Sequence, residues 1–88
     1  MNDIRWHIND DWQDLDPEVG DLVLCHCSDS FDYSVNFIVT ELGDDDWEGT
    51  VEGVFDMNEK GIIIPNHSLE GQILFLPRHV MQKVVKKK

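Results

Sequence analysis

Residues 47–56 read WEGTVEGVFD, and this stretch decides the fold. In an extended chain successive side chains point to opposite faces, so Trp47, Val51 and Phe55 share one face. The other face carries the polar residues Glu48, Thr50, Glu52 and Asp56. This alternation predicts a β-strand whose large apolar side chains, Trp47 and Phe55 among them, lie in the core.

Two glycines, Gly49 and Gly53, lie on the apolar face of the same strand, between its large side chains. Glycine weakens a strand, so these positions predict a sharp bend or the close approach of another backbone. A strongly coiled strand in a small barrel requires such positions.

Short apolar segments on both sides of this stretch predict the remaining strands. They are residues 21–27, 33–40, 71–76 and 81–86, with a short buried segment at 62–64 and a short strand pattern at 4–8. Pro77–Val80 predicts one turn of 3₁₀ helix before the last strand. Residues 9–15 fit either a single helical turn, capped by Asn9 or Asp10, or an acidic loop.

Short strands with one helical turn before the last resemble an SH3-like barrel in architecture over residues 19–86. The predicted fold is therefore all-β: a small, strongly bent antiparallel barrel of five to six strands. An OB-like barrel is the alternative, favoured if residues 9–15 are a loop and a longer helix lies elsewhere. We expect one domain over residues 1–88, with 1–18 packed on or flanking the barrel and 87–88 as a tail.

Charge is distributed unevenly along the chain, whose net charge is −11. Residues 1–59 hold seventeen of the eighteen acids and a single base, Arg5, whereas residues 60–88 hold six bases and one acid. This acidic majority repels phosphates, so we expect no direct binding to nucleic acid and no binding to anionic membranes. It favours a protein partner with a basic surface.

The opening residues form no signal peptide, which predicts a cytoplasmic location. Cys25 and Cys27 are the only cysteines, and in a strand their Cα atoms lie about 7 Å apart, at the limit of a disulfide. Two free thiols fit a reducing compartment.

Neither a metal, nor a cofactor, nor catalysis is predicted. A strand directs His26 away from Cys25 and Cys27, and no second cysteine pair could complete a zinc site. Nearby acids disfavour a thiolate nucleophile. Residues 44–46 lack the calcium-loop pattern, and a small filled barrel offers little room for an active-site cleft.

A partner-binding surface is the leading prediction, because Trp12 and Phe31 are large apolar residues among acids in predicted turns. Trp12 is either an exposed anchor or a plug at one end of the barrel. The predicted surface consists of Trp12, Phe31, Asp10, Asp11, Asp14, Asp44, Asp45, Asp46, Glu48 and Glu52.

Three function classes remain open besides a module that docks a basic partner. One is mimicry of nucleic acid, in which the acids listed above, together with Asp56, imitate phosphates and block a DNA- or RNA-binding protein. Another is a homo-oligomer, for example a homodimer, in which acidic and basic regions pair between chains. The third, a small-molecule binder or enzyme, requires a pocket.

Overall fold

The computed structural model describes residues 4–29, 31–57, 62–64 and 67–86, which form one antiparallel sheet of seven strands. The strands are β1 (Arg5–Trp6), β2 (Leu22–Ser28), β3 (Asp32–Leu42), β4 (Asp46–Asp56), β5 (Ile62–Ile63), β6 (Ile73–Pro77) and β7 (Met81–Val85). Short 3₁₀ turns accompany the strands, among them an N-terminal turn (Trp12–Asp14) and the β6–β7 turn (Arg78–Val80). The described chain contains no α-helix, which confirms the all-β prediction.

Two hairpins place β2, β3 and β4 side by side at the centre of the sheet. On the outer sides, β1 and β7 pair with β2, while β5 and β6 pair with β4. No pairing between described residues joins β6 to β7, so the sheet is not closed. The strand count of five to six was wrong, because both two-residue segments, β1 and β5, pair as strands.

The core lies on the inner face of β2, β3 and β4, where alternate residues are buried. Val23 and Phe37 are opposite each other on β2 and β3, and both are fully buried. The Trp47 ring lies edge-on to Phe37, with centroids 5.0 Å apart. Its Nε1 donates a hydrogen bond to the Pro77 carbonyl, at 3.0 Å. The prediction of a core position for Trp47 is therefore confirmed.

Phe55 is a correction to the predicted core, because it is only partly buried. The β3–β4 register pairs Phe37 with Val51 and Asn36 with Gly53, so Glu52 is an unpaired extra residue. Such a β-bulge shifts the inward phase of the strand by one residue. Beyond it, Val54 is fully buried opposite Val35, the inward position that strict alternation gives to Gly53, and Phe55 is out of phase with the inner face.

The segment at 62–64 is a second correction, because Ile62 and Ile63 are exposed and Ile64 is the residue that packs against the core. Three neighbouring isoleucines give no alternation from which an inner face could be read. The predicted 3₁₀ turn near Pro77–Val80 is confirmed at Arg78–Val80. The predicted tail at 87–88 lies outside the described residues.

Gly49 fulfils the expectation of a close approach. A Cβ atom there would lie 2.6 Å from the Trp47 ring and 3.2 Å from both the Ile38 carbonyl oxygen and the Phe37 Cβ. At Gly53 the nearest atoms belong to the Phe55 ring, at 3.2 Å. The Phe55 ring is only partly buried and can shift, whereas the Trp47 ring is locked in the core.

The substitution Gly49→Ala is therefore expected to lower the free energy of unfolding by about 1–3 kcal/mol through overpacking. Gly53→Ala is the matched control and is expected to change it by less than about 1 kcal/mol. Urea unfolding followed by tryptophan fluorescence measures both. Equal losses in the two variants would show that the Trp47 contact does not limit position 49.

The buried carboxylate of Asp21, just before β2, forms an ion pair with Lys86, just after β7. Asp21 is 1% exposed and accepts hydrogen bonds from the Glu18 N–H, at 2.8 Å, and from Lys86 Nζ, at 3.0 Å. Lys86 also donates to the Asp16 carbonyl and contacts the exposed Glu18 carboxylate at 3.3 Å. The hydrogen bond to Asp21 raises the pKa of Lys86 above its ordinary value. A basic residue near the chain end thus pairs with the acidic N-terminal segment.

Asp21→Ala is expected to lower the free energy of unfolding by about 1–3 kcal/mol, because it removes a buried carboxylate that accepts hydrogen bonds from the Glu18 N–H and from Lys86. Glu18→Gln removes one carboxylate from the same lysine but at an exposed position, so its expected effect is below about 1 kcal/mol. Chemical denaturation of both variants checks the difference. A Glu18→Gln effect as large as that of Asp21→Ala would contradict this account.

Candidate protein-binding surface

Two acidic segments converge on the β6–β7 turn. On one side, the Asn9 N–H donates to the His79 carbonyl at 2.8 Å, and Asn9 Nδ2 donates to the Met81 carbonyl at 3.0 Å. On the other side, the Arg78 N–H donates to the Asp45 carbonyl at 2.9 Å. We call the exposed acids held here the acidic surface: Asp10, Asp11, Asp14, Asp44, Asp45 and Asp46.

The first acidic segment owes its shape to local hydrogen bonds. Asn9 Oδ1 accepts the Asp11 N–H at 3.1 Å, and the Trp12 carbonyl accepts the Leu15 N–H at 3.1 Å. Leu15 packs against the core and anchors the segment, while the aspartates point to solvent. Trp12 is partly buried in the N-terminal turn, which lies against the β6–β7 turn. The helical-turn alternative for residues 9–15 is therefore confirmed, with Asp11 rather than Asn9 or Asp10 as the N-cap.

The second acidic segment is the β3–β4 turn, closed by a hydrogen bond from the Gly43 N–H to the Asp46 carbonyl at 2.8 Å. None of the six acids forms an ion pair with a lysine or arginine in the described part of the chain. Arg78 is the one Lys or Arg of the β6–β7 turn between them, and its Nε is buried without a hydrogen-bond partner among the described residues. Like charges therefore outnumber the nearby cation, and the potential here is strongly negative.

A groove adjoins the acidic surface on the outside of β4 and β6. Its volume is about 160 Å³, and its lining residues are Glu41, Leu42, Gly43, Asp46, Trp47, Glu48 and Phe75. Phe75 is 71% exposed and lies directly opposite Glu48 in the β4–β6 ladder. Glu48 accepts a hydrogen bond from Thr40 Oγ1 at 2.6 Å, which orients its carboxylate. We call this feature the β6 groove; it combines an aromatic ring with three carboxylates.

The ten residues of the predicted surface do not form one continuous site. The acidic surface and the β6 groove meet at Asp46, which brings most of the predicted acids together. Phe31 is 61% exposed but lies in the β2–β3 turn, at the opposite end of β3 from the β3–β4 turn. Glu52 is exposed at the bulge in the middle of β4.

Sequence reasoning missed Phe75 and Glu41. Residues 73–77 read ILFLP, five apolar residues without alternation, so the pattern does not say which ones face outward. In the structure Leu76 is buried while Ile73 and Phe75 are largely exposed. Pairing with β4 was the signal that could have identified them. A strand that pairs with β4 must have the same inner face as β4, and this decides which of its side chains are exposed.

Cys25 and Cys27 are unpaired and fully buried on the inner face of β2. Burial, followed by the neighbouring Cys27 thiol, raises the pKa of Cys25 well above its ordinary value. Burial, followed by the charge of Asp29, raises the pKa of Cys27 to about 12. A thiolate is the nucleophilic form, so this arrangement suppresses cysteine reactivity.

A second polar cluster lies where β1, β2 and β3 meet. Ser28 Oγ donates to Asp32 Oδ1 at 2.7 Å, and His7 Nε2 lies 2.7 Å from the same hydroxyl. Because the serine proton points to the aspartate, the histidine nitrogen is the donor and does not serve as a base toward Ser28. In a catalytic triad the histidine accepts the serine proton, so the arrangement here is the reverse of the one that activates a serine nucleophile.

No group of three or more His, Cys, Asp or Glu side chains positioned for a metal ion exists among the described residues. Within the same residues, no helix is long and apolar enough to cross a membrane. Comparison with known proteins finds no matching family model, no matching curated protein and no matching solved structure.

We expect both thiols to react with iodoacetamide about a thousandfold more slowly in the folded protein than in urea, because reaction requires opening of the core. Mass spectrometry of timed samples measures the rate. The urea-unfolded chain is the control for intrinsic reactivity. Fast labelling of either cysteine under native conditions would contradict the conclusion that burial suppresses the reactivity of both thiols.

Proposed function

We propose that this protein is a protein-binding module that docks a basic surface of a partner protein through the acidic surface. The observation that carries the proposal is the convergence of two separate acidic segments on the β6–β7 turn. Backbone hydrogen bonds from Asn9 and Arg78 hold both segments in place. Because these charges are already held in position before a partner binds, less conformational entropy is lost on binding.

Electrostatic complementarity determines the expected behaviour of such a surface. Opposite potentials speed association and reject partners of the wrong sign. Exposed charges are screened beyond about 8 Å at physiological ionic strength, so binding should weaken as salt rises. Trp12 lies partly buried among these acids and provides an apolar contact at the centre of the proposed interface.

We also propose that the sheet has the strand order of an SH3-like barrel and is left open between β6 and β7. The order β7–β2–β3–β4–β6, with a 3₁₀ turn connecting β6 to β7, supports this topology. The bulges in the β3–β4 pairing and the tight contact at Gly49 support strong bending of the central strands. The two buried, unpaired thiols support a reducing compartment such as the cytoplasm.

The proposal is tested by capture of partners from the native host on the immobilised protein, at about 0.05 M and about 0.5 M salt. The test variant carries Asp10→Asn, Asp11→Asn and Asp14→Asn with Asp44→Asn, Asp45→Asn and Asp46→Asn. A control variant carries Asp32→Asn, Glu52→Gln and Glu70→Gln, which neutralise exposed acids elsewhere. We expect a basic protein that is captured at low salt, lost at high salt, at least tenfold depleted on the test variant and retained on the control.

Equal capture by the wild type and the test variant would contradict the proposal. The captured protein also separates the other function classes. Displacement by duplex DNA would favour nucleic-acid mimicry. Doubling of the mass of the pure protein in light scattering, with no captured partner, would favour the homodimer.

A further inference from the structure

Strand β6 pairs with β4 through one of its two edges, and its other edge faces away from β4. The Val51 N–H donates to the Gln72 carbonyl at 2.8 Å, and the Arg78 N–H donates to the Asp45 carbonyl at 2.9 Å, at the two ends of the β4–β6 ladder. Hydrogen bonding alternates along an antiparallel ladder, so the residues between them that bond to β4 are Leu74 and Leu76. The N–H and C=O groups of Ile73 and Phe75 therefore point away from β4. No described strand pairs with that edge.

This edge carries none of the charged side chains with which proteins often block strand addition. Its residues, ILFLP, carry no charge, whereas the edge strand β7 contains Lys83. Ile73 and Phe75 are 59% and 71% exposed. An unblocked apolar edge is a template for the addition of another strand. Pro77 limits the usable length at one end, since it has no N–H to donate.

Side chains beside the edge indicate which kind of strand fits. Ile73 lies in a cross-strand row with Thr50 and Ile38, which offers a mixed apolar surface. Phe75 lies opposite Glu48 and forms one wall of the β6 groove. A strand added next to β6 would place alternate side chains over this row and over the groove.

We infer that β6 accepts an extended segment of another protein by strand addition, with a cationic side chain of that segment, arginine foremost, in the β6 groove. The cationic character of the partner rests on the proposed function. Main-chain hydrogen bonds to Ile73 and Phe75 would supply affinity, and the groove would supply specificity. This assigns to the partner an extended, basic and partly apolar segment.

Arginine fits the groove by charge and by shape. The carboxylates of Glu41, Asp46 and Glu48 line the groove and form no ion pair with any described residue. The exposed ring of Phe75 offers a face on which a planar guanidinium can stack. A second copy of this chain is a poorer occupant, because each copy carries a net charge of −11.

The test uses synthetic peptides about seven residues long that alternate valine or threonine with arginine, together with matched peptides in which citrulline replaces arginine. Citrulline keeps the shape of the side chain and removes its charge. Amide NMR spectra of the whole protein are recorded during titration. We expect shifts and slowed hydrogen exchange at Ile73 and Phe75 with the arginine peptides, and at least tenfold weaker binding of the citrulline peptides.

Variants then separate the edge from general charge. Phe75→Lys places a charge beside the groove and should abolish strand addition, and Phe75→Ala should weaken it at least fivefold. Val19→Lys changes the net charge equally at another exposed position, 52% exposed, and should keep binding within about twofold of the wild type. Unchanged urea midpoints confirm that these exposed substitutions leave the fold intact.

Several outcomes would overturn the inference. Binding that survives Phe75→Lys but is lost on Asp10→Asn, Asp11→Asn and Asp14→Asn would overturn the role of β6 and leave the proposed function standing. Equal binding of arginine and citrulline peptides would overturn the groove assignment, as would no binding of any arginine peptide. Protection of the Ile73 and Phe75 amides in a dimer without peptide would assign the edge to a second copy. A basic partner captured through the acidic surface would still support the proposed function in each case.

Discussion

The packing of the Trp47 indole connects the core to the surface that we propose binds a partner. One edge of the ring lies against Phe37 in the centre of the sheet, and its N–H reaches the Pro77 carbonyl at the end of β6. This hydrogen bond holds the start of the β6–β7 turn over the core. Both acidic segments attach to that turn, so their positions depend on the tryptophan. The same ring leaves room at position 49 for nothing larger than glycine.

Concentrated negative charge opposes folding, because exposed like charges repel more strongly in a compact chain than in an extended one. The described structure contains few compensating contacts. Lys86 neutralises the buried Asp21 and the exposed Glu18, far along the sequence from both. The acidic surface receives no such compensation from described residues. The basic partner proposed above would supply that compensation on binding.

The period-two patterns of the sequence predict much of the fold. The predictions that were wrong lie where these patterns are interrupted. The strands at 33–40 and 47–56 were predicted because apolar and polar residues alternate there. Phe55 was misplaced because a bulge at Glu52 depends on pairing with β3, which local sequence does not encode. Ile62, Ile63 and Phe75 lie in uniformly apolar segments, where alternation provides no inner face. The acidic part of the candidate site was predicted, because acids in turns are exposed by default. The β6 groove was not predicted, because it forms between strands that are distant in sequence.

The two edges of the sheet differ in a way that charge explains. Strand β7 carries Lys83 and is followed by Lys86, so a strand added there would meet cations in a chain that is otherwise acidic. Strand β6 carries no charge of its own and lies beside Glu48 and Asp46. An apolar edge normally invites self-association, but copies with a net charge of −11 repel one another at long range. The same negative charge attracts a cationic chain. The net charge therefore disfavours pairing of the edge with a second copy and leaves it available to the proposed basic partner.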